Sequence, residues 1–314
     1  MIETPTKLEA VVRQHFSPAA RVRSAYLLEG HLHAVWVLVL SNEDRLLLKC
    51  SPNSTTPLLR REQHLLDTEA RVIALLGQSS VPGVPSLVHY DSHGDLLDSS
   101  FLIRRYVAGR TQREMETQLT IQNRQDIDRR LGLLANRIGQ HVSTSFGTVQ
   151  QVASGRGKRS WKEAFVVLFE SVLRDAEDAF VNIPYSEIRH HVRRLSTELE
   201  AVTLPRLVVV DFGRPSQVIL DPESRQVSGV IDFSNALWGD VQMAEIFDEP
   251  SSAVLDGFGS DSLRGHSDVR QLLYACYRCV QMITTQYYRD RDIIADNQAR
   301  RRLTTIVREM KEID

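Results

Sequence analysis

Near residue 104 the rhythm of the chain changes, and that change limits the folds open to it more than any other feature. Before it, apolar residues come in short runs rich in Val, Leu and aromatic side chains. These are Val22-Arg23-Ser24-Ala25-Tyr26-Leu27-Leu28, Ala34-Val35-Trp36-Val37-Leu38-Val39-Leu40, Arg45-Leu46-Leu47-Leu48-Lys49-Cys50, Ser86-Leu87-Val88-His89-Tyr90 and Ser100-Phe101-Leu102-Ile103. Such runs suit strands. Polar turns at Glu29-Gly30-His31-Leu32-His33 and Ser41-Asn42-Glu43-Asp44 separate the first three, so a meander in an antiparallel sheet is expected.

Helical spacing of Leu8, Val11, Val12 and Phe16 predicts a helix over 7–16. A second helix is expected over 58–76, ended by Gly77, with 100–103 closing the sheet as its last strand. Beyond residue 109 most of the chain reads as helix, with two interruptions. One is the Gly/Ser/Arg-rich loop 153–160, expected to be mobile. The other is a hairpin-like insertion, in which 207–210 pairs with 218–220 and 227–231 follows the turn Asp221-Pro222-Glu223-Ser224. The expectation is an α+β chain with a sheet-rich part over 1–107 and a larger, mainly helical part over 108–314. The hinge falls near 104–109.

Composition narrows the function classes. With 314 residues, 42% of them hydrophobic, there is apolar material for more than one core without disulfide or metal staples. A formal net charge of -2 gives no global pull toward nucleic acid or a membrane surface. The sequence holds no apolar run of membrane-spanning length and no basic-then-apolar start, so a cytoplasmic location is the default. Three cysteines do not make a secreted disulfide framework. Cys276-Tyr277-Arg278-Cys279, a lone CxxC in a helical stretch, cannot supply four zinc ligands and reads as buried structural thiols.

The most informative stretch runs from Leu207 to Asp240. It contains Val209-Val210-Asp211-Phe212-Gly213-Arg214-Pro215-Ser216-Gln217, then the turn at Asp221-Pro222. Next come Val230-Ile231-Asp232-Phe233 and Trp238-Gly239-Asp240. This order resembles the signature of the aminoglycoside phosphotransferase and small-molecule kinase family, which has a bilobal protein-kinase-like fold with an antiparallel-sheet N-lobe and a larger helical C-lobe. The resemblance implies an ATP- and Mg²⁺-dependent transfer of phosphate to a hydroxyl of a small molecule. Asp211 becomes the catalytic base, and Gln217 and Asp232 the metal ligands.

Hard oxygen ligands on adjacent strands suit a cation that favours octahedral geometry and bridges phosphates. The same resemblance makes residues 29–34, with Gly30, the phosphate-covering loop, and Lys49 the lysine that pairs the α/β-phosphates. Glu69 is its ion partner, with Glu62 as competitor, and the segment 104–109, with Arg105, is the linker that meets adenine. It implies no nucleic-acid or membrane partner and leaves the oligomeric state open.

The departures from the pattern fall on the catalytic loop. Val209-Val210 stands where the family has His-Gly, and valine cannot make that histidine's hydrogen bonds. Counting five residues from Asp211 lands on Ser216, with Gln217 one residue further. Two alignments stay open: Asp211 as base with one residue bulged near Arg214, or an ungapped turn with Phe212 at the base position. A second function stays open with them, a kinase-like protein that binds a nucleotide, metabolite or partner without phosphotransfer or reuses its cleft for other chemistry.

Asp211-Phe212-Gly213 also spells the metal motif of protein kinases. No His-Arg-Asp loop lies upstream, where Arg189-His190-His191-Val192-Arg193-Arg194 stands instead. The acids of 161–180 (Glu163, Glu170, Asp175, Glu177, Asp178) read either as receivers of a cationic substrate or as a solvated helix face. Arg300-Arg301-Arg302 reads as an exposed helix face.

Overall fold

A computed structural model describes residues 5–28, 32–259, 268–289 and 291–313. In chain order the elements are α1 (Pro5–His15), β1 (Val22–Leu28), β2 (Ala34–Leu40), β3 (Arg45–Cys50), α2 (Leu65–Gln78), β4 (Leu87–Asp91) and β5 (Phe101–Arg105). There follow β6 (Arg110–Thr111), α3 (Gln112–Met115), α4 (Ile121–Gly139), β7 (Gly147–Thr148), α5 (Val149–Ala153), α6 (Trp161–Asp178) and α7 (Tyr185–Leu195). The chain ends with β8 (Arg206–Val209), β9 (Val218–Leu220), β10 (Val227–Val230), β11 (Ala236–Gly239), α8 (Ser252–Phe258), α9 (Asp268–Tyr288) and α10 (Ile293–Glu312). Two compact units share the chain. One takes Met1–Thr56, Leu65–Ile127 and Gly213–Asn235; the other takes Pro57–His64, Asp128–Phe212 and Ala236–Asp314.

The first unit is built on a five-stranded antiparallel sheet of order β1-β2-β3-β5-β4. Its two faces bury different partners because strand side chains alternate. Leu46, Leu48 and Cys50 of β3 join Phe101 and Ile103 of β5, Leu38 and Leu40 of β2, and Leu8, Val11 and Val12 of α1 in one core cluster. Leu102 packs on the opposite face with Leu66 and Ala70 of α2. The strand over 100–103 does not close the sheet as expected. Residues 101–105 insert between β3 and β4, so the neighbour of Lys49 across the ladder is Leu102.

Helix α2 also departs from expectation at both ends. Residues 60–64 form a 3₁₀ turn that belongs to the helical unit, and the α-helix begins at Leu65. It runs through Gly77 to Gln78. Ser80 then takes φ 52°, with Ser80 N–H on Gly77 O and Val81 N–H on Leu76 O, the paired bonds of a left-handed helix stop.

The segment 213–235 carries β9 and β10 into this unit, where they form a three-stranded sheet of order β10-β9-β6. Val230 N–H donates to Gly83 O at 2.8 Å, and a Cβ on Gly229 would lie 2.8 Å from that carbonyl, so glycine is required for the close approach. The expected pairing of 207–210 with 218–220 is not found. β8 pairs with β11, which pairs with β7, in a separate three-stranded sheet of the helical unit.

The helical unit is centred on Trp161, which is fully buried among Phe146, Phe165 and Tyr274. Phe165 and Phe169 continue the cluster against Tyr277. Loop 153–160, expected to be mobile, is pinned by mutual backbone bonds between Phe146 and Lys158 at 2.7 and 2.9 Å. Cys276 and Cys279 are buried free thiols. Burial pushes Cys279 up to about 11 and Cys276 higher, which leaves both as thiols rather than thiolates at neutral pH. Among the described residues, no helix is long and apolar enough to cross a membrane.

Candidate functional site

In the sheet unit, β3 delivers Lys49 to the face covered by α2. Helical spacing brings Glu69 onto the side of α2 that also carries Leu66, Ala70 and Ile73. Lys49 Nζ lies 2.6 Å from Glu69 Oε2, with Glu69 only 1% exposed. The same ammonium reaches Asp232 Oδ1 at 3.4 Å. Glu62 is not part of this cluster. It caps Leu59 N–H at 2.9 Å and pairs with Arg289 within the helical unit.

Asp232 follows β10 with φ 66°, a left-handed conformation that costs a non-glycine residue energy. The local brace is Ser234, whose hydroxyl and backbone N–H both donate to Asp232 Oδ1, at 2.6 and 3.3 Å. Among the described residues Oδ2 takes no hydrogen bond, and the side chain stays 41% exposed although protein surrounds its base. Desolvation opposes its charge, but the Lys49 ammonium and the Ser234 donors outweigh this and hold the carboxyl well below its usual range. Desolvation likewise opposes the charge on Lys49, and Asp232 with Glu69 more than compensates, raising it above its ordinary value. Both groups are charged at any physiological pH.

Gln217 precedes β9 in the same unit. Its backbone is fixed by Gln217 N–H on Arg214 O (2.8 Å) and Ile231 N–H on Gln217 O (2.9 Å), which place it beside the end of the strand that leads into Asp232. The residue is 7% exposed, and among the described residues its buried Oε1 has no hydrogen-bond partner. An orphaned acceptor of this kind costs free energy unless something completes it.

Arg105 is not brought to this cluster by its side chain. Its guanidinium packs over Phe16 at 4.6 Å and meets Asp44 at 3.2 Å, on the α1 side of the sheet. Its backbone N–H is taken by Ser86 O at 2.9 Å. Gly30 lies outside the described residues. One charged residue of the cluster was not singled out from sequence. Arg104 is 4% exposed, and its Nε lies 3.9 Å from Glu69 Oε1. Strand alternation carried the signal, since Arg104 is two residues from Leu102 and shares its face.

In the helical unit, Asp211 lies in the turn after β8 and is buried. The turn is held by Phe212 N–H on Val209 O, Glu245 N–H on Val210 O and Ile246 N–H on Phe212 O, at 2.8–3.2 Å. Val209, Val210 and Phe212 are core residues. Asp240 is equally buried and saturated: Gln242 N–H, Arg270 Nη1 and Tyr274 O–H all donate to it, at 2.8–3.0 Å. Tyr274 in turn accepts from Trp161 Nε1 at 2.8 Å. Gly239 is the residue on which Trp161 rests, since a Cβ there would fall 2.5 Å from the indole ring.

Four of the five acids singled out over 161–180 are taken up by arginines, while Glu163 stays on the exposed side. Asp175 and Asp178 bind Arg60 at 2.6 and 2.7 Å, while Glu170 and Glu177 bind Arg189 at 2.9 and 2.6 Å. In the tripled arginine run, Arg300 pairs with Asp296 and Arg302 with Asp248, which leaves Arg301 on the exposed side.

Among the described residues, no cluster of three or more His, Cys, Asp or Glu forms a metal cage. Asp232 Oδ2, beside the Lys49 ammonium, and Gln217 Oε1 are instead two hard oxygen donors that, among the described residues, take no hydrogen bond. That set fits a Mg²⁺ ion brought in with phosphate oxygens rather than one caged by protein alone.

No protein-family model and no curated protein matches the chain by sequence. Solved structures do match along the whole length. A protein from Thermobifida fusca designated a fructosamine-3-kinase is 16% identical, with TM-score 0.69 over 99% of this chain and 100% of that one. The aminoglycoside phosphotransferase APH(4)-Ia, a thermostable mutant in ternary complex with AMP-PNP and hygromycin B, is 16% identical. Its TM-score is 0.66 over 98% of this chain and 100% of that one. The gentamicin complex of APH(2")-IIa is 14% identical, with TM-score 0.60 over 100% and 98%. The chain therefore has the protein-kinase-like α+β fold of the aminoglycoside and small-molecule kinases: an antiparallel-sheet N-lobe and a mainly helical C-lobe. A shared fold alone does not fix an activity.

Proposed function

We propose that this protein is an ATP- and Mg²⁺-dependent phosphotransferase acting on a hydroxyl group of a small molecule. The observation that carries this reading is the sheet-unit cluster, in which Lys49 is held between Glu69 and Asp232 while Asp232 Oδ2 and Gln217 Oε1 have open lone pairs. Lys49 serves as the cation for the nucleotide phosphates and Glu69 orients it. Asp232 and Gln217 are the residues that would hold Mg²⁺, which when bound neutralises charge on the transferring phosphate. Asp211 is assigned the base on its motif: a carboxylate that orients the acceptor hydroxyl and receives its proton. Catalysis then rests on positioning and charge neutralisation rather than covalent chemistry. In keeping with this, solved neighbours are complexes with AMP-PNP and hygromycin B, with gentamicin, and with streptomycin and ATP.

A second reading, nucleotide binding without phosphotransfer, is favoured by one specific feature: buried valines at 209 and 210, where the family pattern has His-Gly. Titration calorimetry with ATP, with and without Mg²⁺, on wild type and Asp232→Ala separates these outcomes. Magnesium-enhanced binding that the substitution abolishes, followed by acceptor-dependent ADP release that Asp211→Asn eliminates, is the expected result. Tight Mg-ATP binding with no turnover across hydroxylated acceptors would establish the second reading. No nucleotide binding at all would sink both.

A further inference from the structure

The charged cluster of the sheet unit is longer than a lysine–glutamate clamp. Glu69 is shared: Oε2 holds Lys49 at 2.6 Å and Oε1 faces Arg104 Nε at 3.9 Å. Lys49 is shared in turn between Glu69 and Asp232. The result is a row of alternating charge, Arg104, Glu69, Lys49, Asp232, with two cations and two anions. Arg104 enters it at a cost. The residue is 4% exposed, and among the described residues its Nε makes no hydrogen bond and its side chain donates only from Nη1, to Arg105 O at 3.3 Å. Desolvation lowers its pKa, with Glu69 and Asp232 acting against that loss. A guanidinium stays charged even so. A leucine or methionine would fill the same position between β5 and α2 with no charge to desolvate, as Leu102 does beside it. Packing alone therefore gives no reason for an arginine here.

We infer that Arg104 is a positioning residue for the polyphosphate clamp, an inference that rests on the function proposed above. By facing Glu69 Oε1, Arg104 restrains that carboxylate electrostatically and offsets part of its negative charge. The Lys49 ammonium is then aligned by Glu69 without being fully neutralised by it, and keeps charge for an incoming phosphate. Removing Arg104 takes the row from net zero to one net negative charge at the point where a polyanion must bind. The penalty should scale with the charge of the ligand and be absent for an uncharged one.

The test is calorimetric titration of wild type, Arg104→Met, Arg104→Gln and Arg104→Lys with ATP and with adenosine, at matched ionic strength. The expected result is a loss of about tenfold in ATP affinity for Arg104→Met, adenosine affinity within about twofold of wild type, and ATP affinity largely restored in Arg104→Lys. Equal losses for ATP and adenosine would show a packing role and overturn the inference, as would unchanged ATP affinity in Arg104→Met. Should Arg104→Met fail to fold, the Gln and Lys variants decide on the same ratio. Wild type that binds ATP while the variants behave alike removes only the role of Arg104. Wild type that binds neither ligand removes the nucleotide reading as well.

Discussion

Two carboxylates, the half-exposed Asp232 of the sheet unit and the buried Asp240 of the helical unit, lie eight positions apart in sequence and have opposite degrees of completion. Asp240 is saturated by Gln242 N–H, Arg270 and Tyr274, and Tyr274 is itself anchored to Trp161. Among the described residues Asp232 has all its donors on Oδ1 and none on Oδ2, holds a left-handed backbone conformation, and follows a strand end paired through the backbone with Gln217, whose Oε1 is orphaned. The first arrangement is what a fold needs, every buried polar group satisfied. The second is what a ligand needs, donors held in place and left unfilled. The same contrast runs through the rest of the helical unit, where Asp175, Glu170, Glu177 and Glu62 all have arginine partners.

That contrast is broken if the two aspartates respond alike to the same substitution. Asp240→Ala should cost about 3–5 kcal/mol of folding stability, because it leaves the Arg270 guanidinium buried without its carboxylate. Chemical denaturation reads this directly. Asp232→Ala should leave stability within about 1 kcal/mol, since it removes a strained and half-exposed residue. Its Mg-dependent ATP affinity should fall about a hundredfold, or about 2.7 kcal/mol. A large stability loss for Asp232→Ala, with nucleotide binding kept, would make it a structural residue of the Asp240 kind.

Gln217 sharpens the comparison further. Replacing a buried acceptor that has no partner by an apolar side chain of similar size removes a desolvation cost. Gln217→Leu should therefore raise stability by up to about 1 kcal/mol while weakening Mg-ATP binding about tenfold. A change that stabilises the free protein and impairs the loaded one distinguishes a ligand from a core residue. Loss of both stability and binding would contradict this.

Much of this architecture was legible in the sequence because it rests on local pattern. The first three strands fall on the expected residues 22–28, 34–40 and 45–50, since apolar alternation and polar turns set their ends. What escaped depends on partners distant in the chain. Strand neighbours in sequence are paired by default, yet β8 and β9 belong to different sheets because β8 pairs with residues 236–239 and β9 with 110–111. The acids of α6 have the spacing of a solvated face, and nothing local reveals that Arg60 and Arg189 take them up. Arg104 was hidden for a related reason. An Arg-Arg pair at the end of a strand reads as a solvated edge, although alternation sends one of the two inward. Asp211, Gln217 and Asp232 were legible as a motif, because their order along the chain carries the family pattern.

The smallest expected effect concerns pH and lies on the other face of the sheet, far from saturation of either kind. At the end of α1, His15 stacks on His89 of β4, with ring centres 3.6 Å apart and planes within 14°. Burial first, and then the neighbouring His89, lower the His15 pKa, and Asp91 only partly offsets them. A histidine whose folded pKa lies below its unfolded value, about 6.5, contributes full stability above that value. The contribution is lost as pH falls from there through the folded pKa. The α1 contact should therefore weaken as pH falls below about 6.5, by less than about 1 kcal/mol for a half-buried group open to solvent screening. His15→Phe keeps a ring against His89 and Phe101 while removing the titration. Denaturation midpoints for wild type and His15→Phe should coincide in slope above pH 7 and diverge below pH 6, with the variant the less sensitive. Parallel curves across the whole range would show that His15 does not couple titration to folding and that Leu8, Val11 and Val12 hold α1.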